Sequence, residues 1–143
     1  MKVKDIMSKK VITVAPKETI FTCAVKMAQS GIGALVITEK SLPLGIITER
    51  DFVRNVVASR KDPNNTKVSE VMSKPLLTTS PEDDLKEAAK IMVINEVRRL
   101  PVVENGKLVG ILTSADLAKS ITSELTGHDV LLYAIARYHK YGY

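Results

Sequence analysis

"GIITERD" occupies Gly45–Asp51 and "GILTSAD" occupies Gly110–Asp116, so one phrase ending in Thr-x-x-Asp is written twice, 65 positions apart. The same offset holds on either side. Met7-Ser8-Lys9 meets Met72-Ser73-Lys74, Thr13 and Pro16 meet Thr78 and Pro81, and Ala24 and Met27 meet Ala89 and Met92. Residues 3–52 lie over 68–117 without a gap. One register kept over that length marks a duplication. Two copies are too few for a solenoid, which needs about three or more units. The implied arrangement is two halves facing each other across a pseudo-twofold axis.

Each copy reads as strand, helix, strand, strand, helix. Val11–Val14 and Leu76–Thr79 are short strand candidates. Ile20, Cys23, Ala24 and Met27 recur at helical spacing, matched by Leu85, Ala88, Ala89 and Met92. Pro16 and Pro81 stand just ahead of those helices. Two apolar runs follow in each copy, Ala34–Ile37 with Leu44–Ile47 and Leu100–Val103 with Val109–Leu112. Asn105-Gly106 between the second pair is a strong hairpin signal. A unit of about 60 residues buries only about 60% of its unfolded surface, so two units packed sheet to sheet make the better core. The expected division is repeat one over 1–60, a turn-rich linker over 61–67, repeat two over 68–125, and a helical extension over 126–143. The fold class is α/β in the α+β sense.

Composition excludes several classes. Apolar runs are only a few residues long, whereas a membrane span needs about 20. "MKVKDIMSKK" has no apolar stretch behind its lysines and does not read as a secretory signal. A cytoplasmic location without membrane insertion is the expectation. The single cysteine, Cys23, forms no internal disulfide and sits on an apolar helical face. His128 and His139 lack ligand spacing, so no metal site is expected. No nucleophile–base pair, P-loop or catalytic carboxylate pair stands out, so the chain does not read as an enzyme. The net charge is +5, and residues 1–64 hold eleven Lys/Arg against six Asp/Glu. That excess suits an anionic ligand, a nucleic acid or plain solubility.

The segments "VKDIM" and "VSEVM", then "TVAP" and "TTSP", then "VRRLPVVENGKLVGILTSADL", in order and duplicated, resemble a tandem pair of CBS domains, the Bateman module. The resemblance covers about residues 1–125 and implies β-α-β-β-α units with their sheets packed together. It implies a regulatory module that binds adenosine-containing ligands (AMP, ADP, ATP or S-adenosylmethionine) between the halves and signals to a partner protein. No cofactor beyond such a nucleotide is implied. A homodimer through helices is also implied. With no catalytic or transport domain attached, the chain reads as a free-standing module.

Two chemistries suit the repeated Thr-x-x-Asp. The first is a helix capping box, with Thr48 or Thr113 as cap and Asp51 or Asp116 three residues on. The second is ribose binding, because an ionised carboxylate accepts from two adjacent hydroxyls with charge-assisted strength. The resemblance carries the ribose role onto Asp116 and Asp51, with Thr113 and Thr48 reaching ribose or phosphate. One threonine can serve both chemistries. Arg98 and Arg99 point to opposite sides if extended, and a guanidinium recognises phosphate bidentately. Arg50 within "TERD" is a further phosphate candidate or a solvated charge. The resemblance places adenine contacts for the Asp116 cleft at Ile12, Thr13, Ile32, Gly33 and Ala34. For the Asp51 cleft it places them at Leu77, Thr78 and Val97, with Arg98 beside them. Copy one has Gly33 and Ala34 where copy two has Arg98 and Arg99, so the two clefts are expected to differ. The alternative function is a protein-interaction or nucleic-acid module with vestigial clefts. It is weakened by the lack of an aromatic stacking pattern or recognition-helix motif.

Overall fold

The computed structural model describes residues 1–122 of the 143-residue chain; the helix expected over 126–143 lies outside them. The described elements are α1 (Val3–Ile6), β1 (Thr13–Val14), α2 (Ile20–Ser30), β2 (Ala34–Glu39), β3 (Leu42–Thr48), α3 (Glu49–Asp51), α4 (Leu85–Ile94), β4 (Arg99–Glu104), β5 (Lys107–Thr113) and α5 (Ser114–Thr122). A π-helical turn over Phe52–Val57 prolongs α3, and a 3-10 turn over Val68–Glu70 opens the second repeat.

Local chemistry sets the boundaries. The Thr19 hydroxyl accepts from the Thr22 N–H to cap α2, and Gly31 ends that helix at φ 62°. Asp84 caps α4 by accepting from the Lys86 N–H. Both hairpins use two-residue turns with positive φ at both centres, Lys40-Ser41 at 50° and 66° and Asn105-Gly106 at 52° and 76°. Such turns match the right-handed twist of the flanking strands. The β2–β3 and β4–β5 ladders then repeat each other, with Ala34 opposite Thr48 and Arg99 opposite Thr113.

β1 runs parallel to β2, giving the first sheet the order β1-β2-β3. In the second repeat the expected strand Leu76–Thr79 reduces to a single parallel bridge from Thr79 to Val102. The Asp83 carboxylate accepts from the Thr79 hydroxyl and the Ser80 N–H, which turns the chain away immediately afterwards.

The segments leading into each repeat are exchanged. The Val3 N–H donates to the Asp83 carbonyl at 2.9 Å, and its counterpart Val68 N–H donates to the Glu18 carbonyl at 2.8 Å. Ser8 pairs with Ile111 of β5, and Ser73 pairs with Ile46 of β3. Val3 therefore packs with Ala88, Met92, Leu100, Val102 and Leu112 in the second core. Val68 and Val71 join Ile20, Cys23, Met27, Leu35 and Ile47 in the first. Burial pushes the Cys23 thiol up to about 11, as suits a packing residue. Each core is completed by chain from the neighbouring repeat, so the halves fold as one body with the pseudo-twofold relation the sequence implies. β3 and β5 touch where the sheets meet.

Candidate functional site

A cleft of about 420 Å³ has walls from both repeats, within the range of small-molecule sites. Repeat one supplies Ile12, Ile32, Gly33 and Ala34, and repeat two supplies Arg99 and Thr113. The first lead segment adds Ser8 and Lys10. The β4–β5 register places Arg99 opposite Thr113 at the sheet end, so a guanidinium and a hydroxyl emerge side by side. The lining thus pairs an apolar, small-residue wall with a cationic, hydroxylated one.

Gly33 makes room for the charge. A Cβ on Gly33 would stand 2.8 Å from Arg99 Nη2 and 3.1 Å from Glu49 Oε1. The guanidinium therefore crosses from repeat two into the space over Gly33, where a side chain would displace its tip. Burial lowers the Arg99 pKa, while Glu49 opposes that shift and Arg98 adds to it. Among the described residues Glu49 is the carboxylate whose charge opposes the shift of this half-buried cation, and a ligand phosphate could compete for it.

The two Thr-x-x-Asp motifs share a cap and differ beyond it. Asp116 Oδ2 accepts from the Thr113 N–H and from Thr113 Oγ1, both at 2.8 Å. Asp51 Oδ2 accepts from the Thr48 N–H at 2.9 Å and Thr48 Oγ1 at 3.2 Å. Capping is thus present in both repeats. Asp51 Oδ1 also accepts from Ser73 Oγ at 3.0 Å and, over a longer 3.4 Å, from Asn55 Nδ2. Asp51 is buried, at 8% exposure. Among the described residues nothing donates to Asp116 Oδ1, and Asp116 is only half-buried. Thr113, which Asp116 holds, lines the cleft, whereas Asp116 itself, like Asp51 and Thr48, is not among its lining residues.

The remaining expected contacts scatter. Thr13 lies in a separate hollow of about 520 Å³ between β1 and α2, where its carbonyl already accepts from Lys26 Nζ at 2.8 Å. That hollow is larger, yet it belongs to one repeat and has no access to the paired motifs. Leu77 and Val97 pack against the second core, and Thr78 is exposed. Arg50 and Arg98 are exposed and do not line the 420 Å³ cleft. Among the described residues no group of three His, Cys, Asp or Glu gathers as a metal site, and no helix is long and apolar enough to cross a membrane.

The CBS domain family matches residues 3–58 and 68–123. The chain is a tandem CBS-domain protein. It is 44% identical over 117 residues to the Methanopyrus kandleri protein MK0525, covering 80% of this chain and 60% of that one. The chain therefore spans less than two thirds of that relative. A protein with CBS domains from Burkholderia ambifaria superposes with a TM-score of 0.82 at 30% identity, over 88% of this chain and 97% of that one. The CBS domain pair of protein MJ0100, solved in complex with 5-methylthioadenosine and S-adenosyl-L-methionine, gives a TM-score of 0.79 at 27% identity, over 87% and 98%.

Three residues of this CBS pair escaped the sequence reading. Lys10 lines the cleft, and its counterpart in the repeat is Pro75, so a cation present in one copy alone was the available signal. Ser73 and Asn55 hold Asp51. The counterpart of Asn55 is Ser120, an asymmetry visible in the alignment of repeats. Ser73 has an identical counterpart in Ser8, which instead donates to the Lys10 carbonyl, so no sequence signal separates those two.

Proposed function

We propose that this CBS pair is a regulatory, non-catalytic module that takes an adenosine-containing ligand in the cleft shared by the two repeats. One observation carries the reading: a single cavity is walled by Ile12, Ile32, Gly33 and Ala34 from one repeat and by Arg99 and Thr113 from the other. A flat base would lie on the apolar wall of Ile12, Ile32 and Ala34, beside the Arg99 guanidinium that packs over Gly33. Ribose hydroxyls would donate to the open Asp116 oxygen. Arg99 and Lys10 would face a phosphate or other anionic group. The adenosine compounds named for the MJ0100 pair support the ligand class.

A ligand that touches both repeats favours one angle between them over others. It shifts that equilibrium only by its differential affinity for the two states. A partner protein reading the helical surface would sense the shift. We further propose that a second copy of the chain is one such partner, in a homodimer formed through helices.

Thermal melts in AMP, ADP, ATP, S-adenosylmethionine and NADH test the ligand class. At 100 times its dissociation constant a true ligand adds about 2.7 kcal/mol of stability. The Asp116→Ala variant should lose most of that gain. A wild-type melt indifferent to all five compounds overturns the reading.

A further inference from the structure

We infer that Asp51 is a latch and not a ligand group, so that this chain binds one adenosine-type ligand, on the Asp116 side, and not two. The inference rests on the proposed ligand class for its count of sites, and on hydrogen bonding alone for the latch.

An ionised carboxylate offers about four acceptor positions. Asp51 has all four in use: Thr48 N–H and Oγ1 on Oδ2, Ser73 Oγ and Asn55 Nδ2 on Oδ1. A ribose would have to displace Ser73 or Asn55 from a group only 8% exposed. Asp116 uses the same two bonds for its cap and keeps Oδ1 available among the described residues. The pair of positions left is what two adjacent hydroxyls require.

The bond from Ser73 explains why Asp51 is spent. Ser73 belongs to the lead segment of repeat two, which lies on β3 of repeat one through the Ser73 N–H to Ile46 carbonyl bond at 2.8 Å. Asp51 follows β3 and fastens that segment by its side chain. The other lead segment is fastened differently. Lys2 and Lys4 both reach the Glu82 carboxylate at the surface, and Ser8 turns to the Lys10 carbonyl. With that ion-pair clamp in place, Asp116 is released from latch duty and Ser8 and Lys10 are free to line the cleft.

Amide hydrogen exchange on the ligand-free protein tests the latch. Ser73→Ala removes one bond to a charged group and leaves Asp51 in place. It should speed exchange at the Ser73 and Ile46 amides by about tenfold, with Ser8 and Ile111 unchanged. Ser8→Ala, the symmetric substitution, should leave the Ser8 and Ile111 amides as they were. Equal exchange at Ser73 and Ile46 in wild type and Ser73→Ala overturns the latch. Calorimetric titration with AMP, ATP and S-adenosylmethionine then tests the count. One ligand per chain is expected, with Asp116→Asn weakening it by about tenfold or more and Asp51→Asn by no more than about twofold. Two ligands per chain, or a tenfold loss in Asp51→Asn, overturns the inference. If none of the three compounds binds, the ligand class falls while the exchange data still decide the role of Asp51; if Asp51→Asn does not fold, Ser73→Ala carries both tests.

Discussion

Gly110 has no room for a methyl group. A Cβ there would stand 2.8 Å from the Ser8 backbone oxygen and 2.9 Å from Met7 Sδ. Gly45, its counterpart, faces Met72 Sδ at 2.6 Å and the Ser73 backbone oxygen at 3.0 Å. The glycines that open the duplicated phrase are therefore there for the exchanged segments, which lie directly across β3 and β5. Since a backbone oxygen cannot swing aside as a side chain can, Gly110→Ala should cost about 1–3 kcal/mol, as overpacking does. Urea unfolding would measure it, and an unchanged midpoint would contradict the close approach. The duplication made these glycines visible, but not their purpose, because the neighbours they admit come from the other repeat's lead segment, Ser8 and Met7 for Gly110 and Met72 and Ser73 for Gly45. The Thr-x-x-Asp pairs were legible as caps for the opposite reason: a capping box is built from residues three apart. What distinguishes Asp51 from Asp116 lies in Ser73, a contact the local pattern cannot encode.

At the scale of elements, the Asn105-Gly106 hairpin and helices α2 and α4 followed their local signals, since turn residues and caps act within a few positions, while the Lys40-Ser41 turn carried no such signal. The first strand of repeat two did not, because the Asp83 side chain bends the chain after a single bridge. Exchange of the lead segments was also hidden: α1 reads alike whether it packs on its own repeat or the other. Its clamp can be tested by pH. Hydrogen bonds from Lys2 and Lys4 hold the Glu82 carboxyl at about 2, against an ordinary 4.5. An acid depressed on folding stabilises fully above its unfolded value, and the benefit fades as pH falls through the folded one. Glu82→Gln should therefore melt below wild type at pH 7 in low salt. The gap should shrink below about pH 4.5 and close near pH 2. About 1 M salt should narrow it as well, since the charges are exposed and screened. A gap independent of pH would show that the glutamate acts by packing alone. The core end of the same segment is Val3, fully buried against the second repeat. Val3→Ala should cost about 2 kcal/mol, in the range of buried large-to-small changes, as read by the unfolding midpoint; no loss would place α1 outside the core.

For the whole molecule, what remains unburied is as informative as the cores. Val53 and Val57 on the π-helical turn are 63% and 72% exposed, and Val93 and Ile94 at the end of α4 are 66% and 77% exposed. Single exposed aliphatic residues are ordinary, but here β-branched residues stand in adjacent or one-turn pairs on helices of both repeats. A second copy would cover them with the same residues of its own, as a twofold interface does. Val57→Asp with Ile94→Asp places carboxylates where such an interface would exclude water, and an unpaired buried charge is not tolerated. The double variant should be monomeric by light scattering at concentrations where wild type is dimeric. Its nucleotide affinity should stay near that of wild type, because Ile12, Ile32, Gly33, Ala34, Arg99 and Thr113 all belong to one chain. Loss of affinity together with the dimer would mean that the partner completes the cleft. A wild type that is already monomeric would leave those valines with no second copy to meet. The separation of the two outcomes follows from the architecture: the exchanged segments join the repeats inside one chain, so the cleft is walled without a second copy.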